Sequence, residues 1–160
     1  MMLPAARRET LFIDTNLLLV LIVGAVDRDQ VERFKRTRAY SRDDYALLTT
    51  YVGEFQRMLT APNVLTEVSN LLGQLAEPLR RRALLALGML TGEFRERYVP
   101  STELAADPHF PLLGISDTSI IRSADEDVTV LTDDLQLYVR LAAAGGDVVN
   151  FNHLRSGSWQ

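Results

Sequence analysis

The last third of the chain limits the possible folds more than any other stretch. Ser116-Asp117 has the form of a helix start, and Ile120, Ile121 and Ala124 follow on one face. Val128-Thr129-Val130-Leu131 is an apolar, partly β-branched run of strand length. Leu135 to Ala144 is helical and stops at Gly145-Gly146, and Val148-Val149-Asn150-Phe151 reads as a last strand. Helix, strand, helix, strand at this spacing implies parallel strands joined by right-handed crossovers. The expected class is therefore α/β, a three-layer α/β/α arrangement around a central, mostly parallel sheet.

The chain opens with the same pattern. Leu11-Phe12-Ile13 is a short strand that empties into Asp14-Thr15-Asn16, residues that favour turns and helix starts, and Leu17 to Val23 then reads as helix. Residues 1 to 9, with Arg7, Arg8 and Glu9, show no periodicity and read as a lead-in. Residues 28 to 42 hold six bases against two acids, a local balance of +4. This segment is either a solvated helix face with ion pairs such as Glu32 with Arg36, or a phosphate-contacting arm.

Ser41 and Asp44 resemble a capping box, and Tyr45, Leu48, Tyr51, Val52, Phe55, Met58 and Leu59 follow at helical spacing, which predicts one helix through Leu59. Thr60-Ala61-Pro62-Asn63 ends it. A second helix is predicted from about Val64 to Ala76, with Val64, Val68, Leu71 and Leu75 inward and Glu67 about 60° from the centre of that stripe. Pro78 opens a third, running to Leu90 with Arg80, Arg81 and Arg82 outward. Arg97-Tyr98-Val99 reads as a short strand, and Pro100 to Gly114 as a loop containing a helical turn. His109, in that loop, has no assigned role. The tail after His153 is expected to be loose, so that residues 1–160 form a single domain with an ordered core of about 10–153.

Composition narrows the chemistry. With 160 residues, 47% of them hydrophobic and 24% charged, the chain suits one soluble globular domain. The absence of cysteine excludes disulfides, zinc–thiolate sites and thiol nucleophiles, and it suits a reducing cytoplasm, the expected location. Only two histidines occur, so a metal would be held mainly by oxygen, which points to magnesium, manganese or calcium. The longest apolar run, Leu17 to Val23, is far short of the ~20 residues of a membrane span, so no membrane association is expected. A net charge of −4 does not advertise a nucleic-acid binder, although the local charge of residues 28 to 42 is basic.

Several acids fall where strands end or helices begin. Asp14 and the Asp133-Asp134 pair each follow a strand, Asp117 starts a helix, and Glu67 flanks a helix's apolar stripe. In a parallel sheet the first three gather at the carboxyl end, where α/β folds bind ligands. Clustered carboxylates repel, and a divalent cation removes that penalty. Two such cations can activate water and stabilise the leaving oxygen of a phosphodiester. Asp14 as a simple helix cap remains the competing reading.

Four stretches together resemble the PIN-domain ribonucleases, the family that includes VapC-like toxins. They are Phe12-Ile13-Asp14-Thr15-Asn16, Val64-Leu65-Thr66-Glu67-Val68, Gly114-Ile115-Ser116-Asp117-Thr118-Ser119-Ile120-Ile121 and Val130-Leu131-Thr132-Asp133-Asp134, in the family's order and spanning residues 11 to 151. The resemblance implies an RNA-cleaving hydrolase dependent on Mg²⁺ or Mn²⁺, with Asp14, Glu67, Asp117 and Asp134 as catalytic, metal-binding acids. By the same resemblance Asn16 and Thr132 are polar supports. Asp134 is preferred over Asp133, which could share its role. The implied partners are an RNA substrate and a small protein antitoxin; a homodimer is a further expectation.

Two other classes fit parts of the pattern. A non-catalytic PIN-like module that binds RNA or protein would use the acids only for caps or a structural ion. A haloacid-dehalogenase-like phosphatase also begins with an Asp after the first strand, but it needs a second Asp where Asn16 stands, and a lysine, of which Lys35 is the only one.

Overall fold

The protein is described here from a computed structural model, which describes residues 8–157. Five strands, β1 (Arg8–Ile13), β2 (Phe55–Thr60), β3 (Phe94–Glu96), β4 (Val128–Thr132) and β5 (Asp147–Asn150), form one sheet in the order β3-β2-β1-β4-β5. Every neighbouring pair is parallel. Nine helices are found among the described residues. They are α1 (Thr15–Val26), α2 (Gln30–Arg33), α3 (Arg42–Val52), α4 (Pro62–Leu72), α5 (Leu79–Thr91), α6 (Ser101–Ala105), α7 (Phe110–Ser123), α8 (Leu135–Ala143) and α9 (Phe151–Arg155). None of them is long and apolar enough to cross a membrane.

The chain moves outward from β1 to β2 to β3, then crosses back to the far side of β1 for β4 and β5. With right-handed crossovers, that reversal puts the helices of the two halves on opposite faces. Accordingly α1 packs with α3, α4 and α5, whereas α7 packs with α8, giving the expected α/β/α layers. α1 is apolar almost all round, and Leu17, Leu18, Leu19, Val20, Ile22 and Val23 are all buried, as befits a helix enclosed by its neighbours. β4 is buried along its whole length, which a strand inside a parallel sheet requires.

The structure corrects several expected boundaries. The predicted helix from Tyr45 to Leu59 is two elements: α3 ends at Gly53, and Phe55–Thr60 is strand β2. Phe55 and Leu59 are four apart, a spacing that serves one face of a helix and one face of a strand equally. Pairing with β1 on one side and β3 on the other decides between them. The short strand predicted over Arg97 to Val99 lies three residues earlier, where Phe94 pairs beside Met58. Its predicted start still joins the edge, since the Arg97 amide donates to the Thr60 carbonyl at 2.9 Å.

The stretch from Pro100 to Gly114 holds α6 and the first turn of α7, with Pro111 in a helix-starting position. Within the basic segment Gln30–Arg33 forms a short helix and Arg42 begins α3, and Glu32 accepts from the Arg42 amide at 3.2 Å rather than pairing with Arg36. Arg8 and Glu9 already belong to β1, while residues 1–7 of the expected lead-in lie outside the described residues. The tail after His153 is not loose at first: Leu154 is buried, and Arg155 bonds the Ala39 carbonyl and the Asp44 carboxylate, each at 2.9 Å.

The layer of helices around α1 is tight at one point. A Cβ on Gly24 would lie 2.3 Å from the Tyr45 ring. Gly24→Ala is therefore expected to lower stability by about 1–3 kcal/mol despite alanine's better helix propensity, read as a lower urea midpoint. Adding Tyr45→Leu should recover part of the loss; an unchanged midpoint for Gly24→Ala would contradict the close packing of α1 on α3.

Candidate functional site

β1 and β4 lie side by side, yet the chain leaves them in opposite directions, and their carboxyl ends open a crevice where α/β sheets bind ligands. A cleft of about 370 Å³ lies there, lined by Asp14, Thr15, Asn16, Glu67, the stretch Leu113 to Asp117, Asp133 and Asp134. It thus carries five carboxylates and no lysine, arginine or histidine. All four acids predicted to act together, and Asp133, reach this one cleft from four separate elements.

Asp14 forms its floor. The residue is only 4% exposed, and its carboxylate is held by three donors. Oδ1 accepts from the Leu17 amide at 3.0 Å, capping α1, while Oδ2 accepts from the Thr132 hydroxyl and from the Asp133 amide at 3.0 Å. The Thr132 hydroxyl in turn accepts from the Asp134 amide at 3.0 Å, so one short network ties the end of β1 to the turn after β4. Burial first, and then the neighbouring Asp133 carboxylate, push the Asp14 pKa well above the ordinary value, against the lowering effect of its hydrogen bonds.

The other acids are placed differently. Asp117 sits at the third position of the helical segment that restarts after Gly114, whose φ of 78° only glycine adopts without strain. It is half-buried, and burial together with Asp134, Glu67 and Asp133 raises its pKa to about 6. Glu67 projects from the exposed side of α4. Neither Glu67 nor Asp117 makes a hydrogen bond or ion pair with the described residues, so both carboxylates are free to ligate. Asp134 is exposed and caps α8, accepting from the Leu137 amide at 3.0 Å through Oδ1. Among the described residues, no three such side chains converge closely enough to form a ready-made metal cage. The donor set itself, all oxygen and strongly anionic, has the chemistry that suits a hard divalent cation such as Mg²⁺ or Mn²⁺.

Asp133 is more engaged than its sequence context suggests. Its Oδ1 accepts from Asn16 Nδ2 at 3.4 Å, its Oδ2 from the Tyr40 hydroxyl, and its carbonyl from Asn152 Nδ2 at 3.3 Å. Asn16 thus supports Asp133 rather than Asp14, and Thr132 supports Asp14 directly. Tyr40 and Asn152 were not expected at the site. Tyr40 lies 93 residues from its acceptor at the end of the basic segment, and no local pattern marks such a pairing. Burial, and then the bond to Asp133, push the Tyr40 hydroxyl far above its ordinary pKa, so it stays a donor.

Neither a protein-family model nor a curated protein matches this chain.

The crowding of carboxylates has a consequence for stability. A raised pKa means that the folded state holds the Asp117 proton more tightly than the unfolded chain does. Its contribution is therefore present below about pH 4 and is lost as pH rises through about 6. In chelator, Asp117→Asn should match wild type at pH 4 and exceed it at pH 8. After allowance for screening the gain should be on the order of 1 kcal/mol, or about 2–4 °C in Tm. Equal midpoints at both pH values would show that burial and the neighbouring acids do not raise the Asp117 pKa.

Proposed function

We propose that this chain is a divalent-metal-dependent endoribonuclease that hydrolyses RNA phosphodiester bonds. The observation that carries the proposal is the cleft at the carboxyl ends of β1 and β4, with five carboxylates, no base, and a buried Asp14 at its floor. Such a site repels an anionic substrate unless a cation is present, and its all-oxygen donors match Mg²⁺ or Mn²⁺. When bound, such a cation lowers the pKa of water and offsets charge on a phosphoryl group.

The protein's own groups divide the remaining work. Asp14, fixed by three donors, supplies a carboxylate that cannot swing away, and Thr132 and Asp133 set its orientation through their hydrogen bonds. Asp117 and Glu67 approach from α7 and α4 as unengaged carboxylates. Asp134 and Asp133 close the side nearest α8. The basic segment supports a polyanionic substrate. Arg33, Lys35 and Arg38 are exposed and make no hydrogen bond or ion pair with the described residues, and Tyr40, near the end of the segment, reaches Asp133 of the cleft.

The PIN-like order of the four acidic stretches favours RNA over other phosphodiesters. It also suggests a toxin of a toxin–antitoxin pair acting in the cytoplasm, with a small antitoxin as its partner. The phosphatase reading is weaker, because no lysine lines the cleft and Asn16 occupies the place of the second aspartate that chemistry uses.

Cleavage of a labelled structured RNA by purified protein is expected in Mn²⁺ or Mg²⁺ and not in chelator. Asp14→Asn and Asp117→Asn should each lower the rate by on the order of 10²-fold or more while leaving the circular dichroism spectrum unchanged. Cutting that persists in chelator, or in both variants, would overturn the assignment.

A further inference from the structure

Tyr40 is buried, 7% exposed, and its ring is clamped on two sides. The Phe151 ring lies 6.0 Å away between centroids, and the Arg155 guanidinium sits 4.6 Å from the centre of the Tyr40 ring. Arg155 is itself anchored by Asp44 and the Ala39 carbonyl. With the ring held there, the hydroxyl donates to Asp133 Oδ2. Asp133 is the carboxylate that presses on Asp14, and two such neighbours repel. An Asp133 side chain without this bond would be held only by Asn16, an exposed residue at 3.4 Å, and repulsion from Asp14 would turn it toward solvent.

We propose that Tyr40 is a positioning residue of the acidic cleft, its hydroxyl holding the Asp133 carboxylate beside Asp14 so that both face a bound divalent cation. The inference rests on the reading of the cleft as a cation site. It assigns a purpose to the otherwise unexplained link between α9 and the end of the basic segment. Phe151 and Arg155 fix a ring, the ring fixes a hydroxyl, and the hydroxyl fixes a carboxylate. Partners one step removed from a metal commonly change its affinity by about 10- to 100-fold when lost.

The test is a Mn²⁺ titration by calorimetry on the full chain, as wild type, Tyr40→Phe, Asp133→Asn and the double variant, with thermal unfolding measured alongside. Tyr40→Phe keeps the ring and its packing. It should weaken Mn²⁺ binding by about tenfold in the wild-type background and have little further effect in Asp133→Asn. Unchanged affinity in Tyr40→Phe, or an equal loss in both backgrounds, would overturn the proposal while leaving the cation site standing. Wild type that binds no Mn²⁺ would remove the cation site and this inference together. If Tyr40→Phe fails to fold, Arg155→Met serves in its place. It frees one face of the ring but keeps the hydroxyl, and it should weaken Mn²⁺ binding only where Asp133 is intact; unchanged affinity would overturn the proposal.

Discussion

A carboxylate buried at the end of a strand is costly unless donors surround it, and the Asp14 carboxylate has three. One caps α1, and the other two come from the turn after β4. The same side chain therefore starts the helix at the centre of the protein and joins the carboxyl ends of the two strands that flank the crevice. The helix-cap reading of Asp14 is borne out through Oδ1, while Oδ2 is taken up by the turn after β4. The price is a group whose charge the fold alone does not balance. Burial and Asp133 raise its pKa, and no lysine, arginine or histidine lines the cleft to offset it.

That imbalance extends across the cleft. Asp117, Glu67, Asp133 and Asp134 come from α7, α4 and the turn before α8, and burial first, then the three neighbouring carboxylates, raises the pKa of Asp117. Structural acids are usually paired with arginine. This protein does pair many of its acids in that way elsewhere, as with Asp44 and Arg155 or Asp125 and Arg97. Five carboxylates lining one cleft with no base beside them lower the stability of the metal-free fold.

The parallel sheet was legible because helix and strand alternate cleanly after Ser116, and because Asp14 closes a strand that is apolar from Leu11 to Ile13. The cleft's acids were legible because each stands beside a punctuation signal: a strand end, a helix start, or the margin of an apolar stripe. β2 was not, because Phe55 and Leu59 satisfy helical and extended spacing alike, and only the strands on either side decide. Gly53 was the local sign that α3 stops there. α9 was missed because five residues carry too little pattern, and its stability comes from burying Phe151 and Leu154 against distant parts of the chain. Tyr40 and Asn152 meet Asp133 across long sequence separations, and such meetings leave no trace in spacing.

The most direct measurement is an anomalous difference map from crystals soaked in Mn²⁺. A peak in the cleft, in contact with the carboxylates of Asp14 and Asp117, is the predicted result. A cleft with no peak under saturating Mn²⁺, its acids instead met by bases from elsewhere in the chain, would contradict the assignment of a cation site and the nuclease chemistry that follows from it.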